Sequence, residues 1–577
     1  MRAPGRDQRA PVKPVKPVKP VEAGGTSRTT RVMQAVAVAG VAAILFFCYW
    51  RQSQSVPVPS DGAGNVLQAW DMLHGNLLLR HWWVSDVSFY TTELPQYMLI
   101  EALIGLGTQV VHVAAAMTYT LLVLLAALLA KGRAQGRPGL ARALLAGGLM
   151  LAPQLSATGI LLLSPDHTGT AVPLLVIWLL IDRADGADPA GGERGGGQPP
   201  RDRGVPGGSR VRPPGLTLLI PVLVGAGFLW TMVADSDVLL TGIVPLVLVC
   251  AWRACPGLIR GGERPAPKWY ELSLAGAAGV AGVAGSWAPR VISALGGYRE
   301  SHVGTDTDFS QLPHNAWVTF RAFLDLLGAN VFDTNSNSVI EFVFVVLHLA
   351  GAIVVVWALG VAASRFFRFG ELIVPVFAVA IVFNLGAYLV SPHARDLLGA
   401  REMAGILPLS AVLAGRTLGM RIFGQRALGQ RAKACFASML AVVMAGYLGA
   451  LGYGAAQASV PSANEPLATW LMMHRLSDGL AGYWLANSTT VDTRGRVLVS
   501  AVTLGDGGRL MPYQWETDDA NYNPAWHDAN FVVTDGPDSL PGLRQAAVRA
   551  FGPPLRTFRT SGYTIMIWNA NLLAKLG

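Results

Sequence analysis

The chain has 577 residues, of which 52% are hydrophobic and only 14% charged, and its formal net charge is +9. Soluble proteins carry roughly 25% charged residues, so a soluble multidomain chain is excluded, and the positive charge sits between apolar blocks instead of on one polar face, which argues against a nucleic-acid binder. The four cysteines, Cys48, Cys250, Cys255 and Cys435, lie in or beside apolar blocks, so no disulfide framework is indicated.

Residues 1–31 are polar and basic, with the repeat PVKPVKPVKPV. They offer no apolar face to bury and read as a disordered cytoplasmic tail. The apolar run 32–50 follows without a small-residue cleavage site, and is read as a retained first transmembrane helix. Further apolar blocks fall at 109–130, 140–163, 170–181, 215–233, 238–252, 272–295, 339–363, 372–391, 402–420 and 434–453. Each reads as a span of the ~30 Å hydrocarbon core, so a polytopic α-helical domain of about eleven transmembrane helices is predicted over 32–453.

Charge sets the expected orientation. With the N-terminus inside, the loops 131–142, 182–214, 253–271, 364–371 and 416–433 are cytoplasmic and hold 21 basic and 8 acidic residues. The alternate loops are acidic on balance, which is the positive-inside pattern. Loop 182–214 is rich in Gly, Pro and Arg and reads as a disordered linker. The large loops 51–108 and 296–338 and the segment 454–577 then fall outside. The last segment alternates amphipathic helix patterns at 465–480 and 539–551 with apolar strands at 496–502, 530–535 and 563–569, which predicts a C-terminal extracytoplasmic α/β domain.

Chemistry is therefore expected on the outer face, beginning in loop 51–108. Asp61 stands on a Gly-rich turn soon after the first span. Val66, Leu67, Ala69, Trp70 and Leu73 give the next segment a helical apolar face, expected to lie in the membrane interface with Trp70, Trp82 and Trp83 at headgroup depth. Glu93 opens a second amphipathic stretch. An acid at this boundary is placed to meet a lipid-linked substrate, although Asp61 would also serve as a turn or cap residue.

An Asp soon after the first span, in a long outer loop with juxtamembrane helices, resembles the GT-C superfamily of membrane glycosyltransferases. The stretch D-x-x-x-N-x-x-x-A-x-x-x-L-x-G, here Asp61 to Gly75, is similar to the first loop of bacterial protein O-mannosyltransferase-like and arabinosyl/mannosyl transferase-like members. The pattern departs in one respect, since Asp61 is followed by Gly62 and not by a second acid. The resemblance implies a GT-C fold, a polyprenyl-phosphate sugar donor, and Asp61 as catalytic base or acceptor-orienting group. Such a transfer needs a carboxylate for the acceptor proton and cationic donors for the departing phosphate.

Other acids and cations are candidates beside Asp61. Asp71 is expected to face solvent. Asp86 and Glu93 flank the aromatic run SFYTTELPQY, and Asp166-His167 lies in the short turn SPDHTG; all four could line the acceptor site. Asp235-Ser236-Asp237 and Asp306-Thr307-Asp308 read as turns. His393, Arg395 and Arg401 occupy a side where positive charge is scarce, and are expected to hold the donor phosphate; GT-C members often place a basic residue before such a helix. Asn384, inside a span, is expected to make an interhelical hydrogen bond. Trp515, Tyr522 and Trp526 in the C-terminal domain are candidates for stacking on sugar rings, with core packing as the plainer alternative.

No metal-ligand spacing appears, so no cofactor is expected, with a divalent cation left open. The leading reading is a glycosyltransferase of a bacterial cell membrane that moves a sugar from a polyprenyl-phosphate donor to an envelope glycan, lipid or protein. The rivals are a non-catalytic scaffold of envelope synthesis and a lipid or solute transporter.

Overall fold

The computed structural model describes residues 28–163, 167–185, 214–254, 269–301, 308–332, 338–366, 371–424, 430–536 and 538–576. Residues 1–27 of the expected tail, most of the linker 182–214, Asp166, Asp306-Thr307 and Cys255 lie outside them, while 28–31, expected in the tail, are helical. Residues Met1–Ile44 form one compact unit and Leu45–Gly577 a second. In the first, the described residues are helical, part of the helix Arg28–Ser53, and Val32, Val36 and Ile44 are exposed.

The second unit holds a helical body and a C-terminal domain with strands. Among the described residues of the chain, four helices are individually long and apolar enough to cross a membrane: Val32–Ser53, Gln109–Lys131, Val339–Ser364 and Ile373–Val390. Two further pairs qualify as broken spans. Gly136–Met150 meets Leu155–Leu163 at 77°, and Leu397–Met403 meets Ile406–Gly419 at 57°. Length and apolarity thus assign four to six of the eleven expected spans among the described residues. The blocks 140–163 and 402–420 are bent where straight helices were expected. Pro153 cannot continue the first, and Ala404-Gly405 interrupts the second.

Helix Val339–Ser364 carries the clearest membrane signature. Phe342, Val346, Ile353, Val356 and Trp357 are exposed, while His348, Val355 and Ala358 are buried. Such a continuous apolar surface is costly in water and is stable in lipid. These helices make the chain a membrane protein.

The C-terminal domain is built on a six-stranded sheet. Its strands are β3 (Asp478–Gly482), β4 (Leu498–Leu504), β5 (Leu510–Pro512), β7 (Phe531–Thr534), β8 (Arg556–Thr560) and β9 (Tyr563–Ile567), in the order β5-β4-β3-β7-β9-β8. β3 runs parallel to both β4 and β7, and the other pairs are antiparallel. The predicted helix 465–480 ends at Met473, and its last residues become β3, the buried strand between β4 and β7. Gly479 explains why: a Cβ there would stand 2.2 Å from the Phe531 ring, so this position accepts only the smallest residue against its neighbour. Helix Leu543–Phe551 starts later than the predicted 539, and helix Tyr483–Asp492 was not anticipated.

A second, three-stranded sheet ties three regions together. β1 (Trp82–Val84) lies between β2 (Arg299–Glu300) and β6 (Thr517–Asp518). One strand comes from loop 51–108, one from loop 296–338 and one from the C-terminal domain. This corrects the expected headgroup placement of Trp82 and Trp83. Trp82 is 4% exposed and donates to Asp71 Oδ2 at 2.8 Å. Trp83 donates to Asp519 at 3.0 Å and stacks beneath Arg299. Asp71 therefore braces the strand, where it was expected to face solvent. Strand pairing consumes the backbone groups of both tryptophans and draws them inside.

Candidate functional site

Helix Ser60–Leu73 places Asp61 in its first turn, where the helix dipole favours an anion. The helix lies under the C-terminal domain, and Ser60 Oγ donates to the Tyr483 carbonyl at 2.6 Å. Close approach depends on Gly64, since a Cβ there would be 2.3 Å from Glu516 Oε2.

Asp61 is 6% exposed and held from two sides. Arg401 Nη1 reaches its Oδ2 at 2.7 Å. The Tyr483 hydroxyl lies 2.5 Å from its Oδ1 and 2.7 Å from Glu516 Oε2. A phenol has one hydrogen, so it donates to one of these carboxyls at a time. Burial, then the charges of Asp61 and Glu516, push the Tyr483 hydroxyl well above its ordinary range, which keeps it protonated as a donor. Glu516 is 1% exposed and takes a left-handed backbone at φ 47°, an uncommon conformation for a residue with a Cβ. Three distant segments, the first loop, the stretch 397–403 and the C-terminal domain, thus converge on one carboxylate.

A second polar cluster lies next to Arg401 in sequence. His167 Nδ1 bonds Asp235 Oδ2 at 2.7 Å and its Nε2 bonds Glu402 Oε2 at 2.8 Å. Burial alone would lower the imidazole pKa, but the two carboxylates outweigh it and hold His167 well above its ordinary value. It is a cation with both ring N–H groups used. His393 Nδ1 comes within 3.9 Å of Glu402, and Arg401 Nε within 3.8 Å. Asp237 accepts from Asn384 at 3.0 Å, the bond expected of that amide, and burial pushes Asp237 up to about 7.

More acids surround this cluster. Asp86 is open to solvent but recessed, and desolvation, followed by the charge of Glu402, raises it. Glu93 is 3% exposed, and burial pushes it up to about 8. Glu300 is raised to about 7 by burial and by Asp86. Among the described residues no group of three His, Cys, Asp or Glu has metal-binding geometry.

Two cavities meet at Asp61. One, of about 380 Å³, is lined by Val56, Pro59, Ile160, Leu163, Leu397 and Leu398, with Ser156 and Asp325 adding polar atoms. The other, of about 450 Å³, lies against the C-terminal domain and is lined by Tyr483, Tyr513, Trp515, Thr503, Asp538 and Ser539. Asp61, Arg401 and Trp484 line both.

The structure sorts the sequence candidates by position. Asp61 and Arg401 are in direct contact, and His167 and His393 gather around Glu402. Arg395 is exposed, and its carbonyl accepts from His314 at 3.1 Å; its side chain is not drawn to Asp61. Trp515 lines the second cavity. Tyr522 does not, because its hydroxyl donates to the Ala501 carbonyl and its ring packs on the domain core. Trp526 is 66% exposed and also lies off the cavity. Asp235 and Asp237 read as a turn, and the turn is folded inward onto His167 and Asn384. Glu402, Tyr483 and Glu516 were missed altogether. The available signal for Glu402 was its place next to Arg401; Tyr483 and Glu516 have none in a single sequence.

No protein-family model matches the chain, and no curated protein matches it by sequence. Solved structures do match by shape. The crystal structure of ArnT from Cupriavidus metallidurans bound to undecaprenyl phosphate aligns with 95% of this chain and 99% of its own, at 14% identity and a TM-score of 0.50. The apo structure of the same protein aligns over the same shares at 13% identity and a TM-score of 0.49. At this identity the likeness is one of fold: the chain has the fold of the ArnT structure bound to undecaprenyl phosphate, with a strand-containing domain at its C-terminal end.

Proposed function

We propose that the protein is a membrane glycosyltransferase that moves a sugar from a polyprenyl-phosphate donor to an envelope acceptor on the outer face of a bacterial membrane. The observation that carries this reading is the Asp61–Arg401 pair at the junction of an aliphatic-walled cavity and an aromatic-walled one. The fold supports it, and the structure neighbour was crystallised with undecaprenyl phosphate.

In the reaction as read here, the polyprenyl chain leads from the lipid into the apolar cavity and its phosphate meets Arg401. The acceptor hydroxyl enters from the other cavity and attacks the anomeric carbon. The bond from that carbon to the phosphate oxygen breaks, and the electron pair leaves with the polyprenyl phosphate. Asp61 takes the acceptor proton. Arg401 offers a planar fork to the departing phosphate, whose charge grows as the bond breaks. One back-side displacement inverts the sugar. Tyr483, with Glu516 behind it, fixes the orientation of the Asp61 carboxylate. His167 and Asp235 anchor Glu402 and hence the backbone that carries Arg401. We place the N-terminus in the cytoplasm and the C-terminal domain outside, in accord with the loop charges.

The test is incubation of the purified protein with radiolabelled polyprenyl-phosphate sugars and envelope acceptors, beside Asp61→Asn. Label should pass to the acceptor with the wild type, and transfer should fall about 10²- to 10⁴-fold in the variant while insertion and folding persist. Asn caps a helix as well as Asp, so a variant with wild-type transfer would remove Asp61 from the mechanism. Absence of transfer with every donor would favour the scaffold or transporter readings.

A further inference from the structure

The two cavities at Asp61 differ in chemistry, and the difference bears on what each receives. The cavity on the helical side is walled mainly by aliphatic side chains and proline. The cavity on the other side is walled by four aromatic residues, Tyr483, Trp484, Tyr513 and Trp515, and by Val502, Leu540 and Pro541, with Thr503, Ser539 and Asp538 interspersed. Tyr483 ties the wall together, at 5.1 Å from Trp484 and 5.3 Å from Tyr513 between ring centroids. Four of these residues, Tyr483, Trp484, Tyr513 and Trp515, come from the segments that follow β3 and β5, so the sheet fixes their spacing.

A sugar ring has an apolar face of C–H groups and an equator of hydroxyls. Aromatic faces satisfy the first, and hydroxyl and carboxylate side chains the second. An acyl chain in the same space would cover Thr503, Ser539 and Asp538 without giving them partners, which is costly. The volume of about 450 Å³ falls in the range of roughly 300–1,000 Å³ for small-molecule sites. The aromatic-walled cavity also ends at Asp61, so a ring held on its wall presents a hydroxyl to that carboxylate.

We propose that this second cavity is the acceptor subsite and that the acceptor is a saccharide, stacked on Trp515 and Tyr513 with its reactive hydroxyl at Asp61. The assignment rests on the transfer reading above for the reaction, but the binding site itself can be measured without transfer. Trp484, at 45% exposed, stands between the cavities and separates the acceptor ring from the lipid-linked donor.

The experiment is a titration of the full-length protein in detergent with mannotetraose and with arabinotetraose, followed by tryptophan fluorescence and calorimetry. Saturable binding of at least one probe is expected. Trp515→Ala should weaken it about tenfold or more, the loss of roughly one stacking contact, with Trp515→Phe in between. Tyr513→Ala should weaken it independently, which covers the case where Trp515→Ala does not fold. Trp526→Ala, at an exposed site off the cavity, should bind as the wild type does. In the transfer assay Trp515→Ala should raise acceptor KM and leave donor KM unchanged. No saturable binding of either probe, or binding untouched by both Trp515→Ala and Tyr513→Ala, overturns the subsite. Transfer to a lipid acceptor without such binding would leave the glycosyltransferase reading standing and sink only this one. Saccharide binding lost in the variants, in a protein with no transfer, would uphold the subsite and sink the reaction.

Discussion

Tyr483→Phe removes a single oxygen, and the structure fixes what that oxygen does. It lies 2.5 Å from Asp61 and 2.7 Å from Glu516, inside a site where all three side chains are buried. A hydrogen bond to a charged group contributes about 1.5–3 kcal/mol, which corresponds to roughly 10- to 150-fold in a rate that depends on it. Asp61 keeps Arg401, so donor binding should be spared. The expected result is a fall in kcat of about 10- to 100-fold with donor KM nearly unchanged. Gly64→Ala reaches the same link by another route. Its new Cβ would stand 2.3 Å from Glu516 Oε2, so the Glu516 side chain must move off Tyr483 while Tyr483 stays on Asp61. A smaller loss, about 3- to 10-fold, is expected from a neutral hydrogen bond's worth of positioning. Because both changes act on one chain of contacts, the double variant should be no slower than Tyr483→Phe alone. Steady-state transfer with varied donor and acceptor checks all three. Full activity in Tyr483→Phe, or strictly multiplicative losses in the double variant, would refute the positioning role.

Other outcomes follow from the same geometry. Arg401→Ala should raise donor KM at least about tenfold, from loss of a charge-assisted contact, and Arg395→Ala should change it little, because Arg395 is exposed and away from Asp61; equal effects in matched preparations would count against Arg401 as the phosphate ligand. His167 has its folded pKa raised by Asp235 and Glu402, so its contribution to stability is complete below the unfolded value of about 6.5 and is lost as pH rises through the higher folded value. The Tm in detergent should therefore fall on the alkaline side, and His167→Gln should flatten that slope; parallel profiles for the two proteins would show that His167 is not the titrating group. Chelation with EDTA should leave transfer intact, since Arg401 already fills the place a cation would take at the phosphate, and a loss restored by one divalent ion would contradict this. Impermeant thiol labelling of Ser477→Cys in intact cells, without labelling of Ser209→Cys, should confirm the orientation, and the reverse pattern would overturn it.

How much of this could be seen in the sequence depends on where each residue's partners lie. Apolar blocks are local, so the helices were legible to within a few residues, apart from the breaks at Pro153 and at Ala404-Gly405. Asp61 stood out as the first acid after the first span, and Arg401 because positive charge is scarce in the loops expected on its side. Their contact spans 340 positions of sequence, and no local pattern encodes it. Trp82-Trp83 shows the opposite failure. An aromatic pair near a membrane suggests an interface, but its strand partners Arg299 and Asp518 come from segments that a local reading cannot bring near. β3 was hidden by Leu476, Leu480 and the apolar residues before them, which continue a helical pattern. Only the close pass of Phe531 over Gly479 shows that the chain must be extended there.

The Asp61–Arg401 contact also explains how a base and a phosphate ligand can share one site. Left alone, the buried Asp61 carboxylate would carry a large desolvation cost, and pairing with the partly exposed Arg401 guanidinium offsets it. The pair is therefore a stable arrangement, with Asp61 bonded by Arg401 on one oxygen and by Tyr483 on the other. A phosphate entering from the apolar cavity competes for the same guanidinium. As Arg401 turns to it, Asp61 Oδ2 is freed to meet the acceptor hydroxyl, while Tyr483 holds Oδ1 in place. Glu402 limits how far Arg401 can turn, because His167 pins Glu402 to Asp235 at 2.7–2.8 Å contacts. In this reading the donor itself readies the base, and the acceptor hydroxyl meets a competent carboxylate only when there is a sugar to receive.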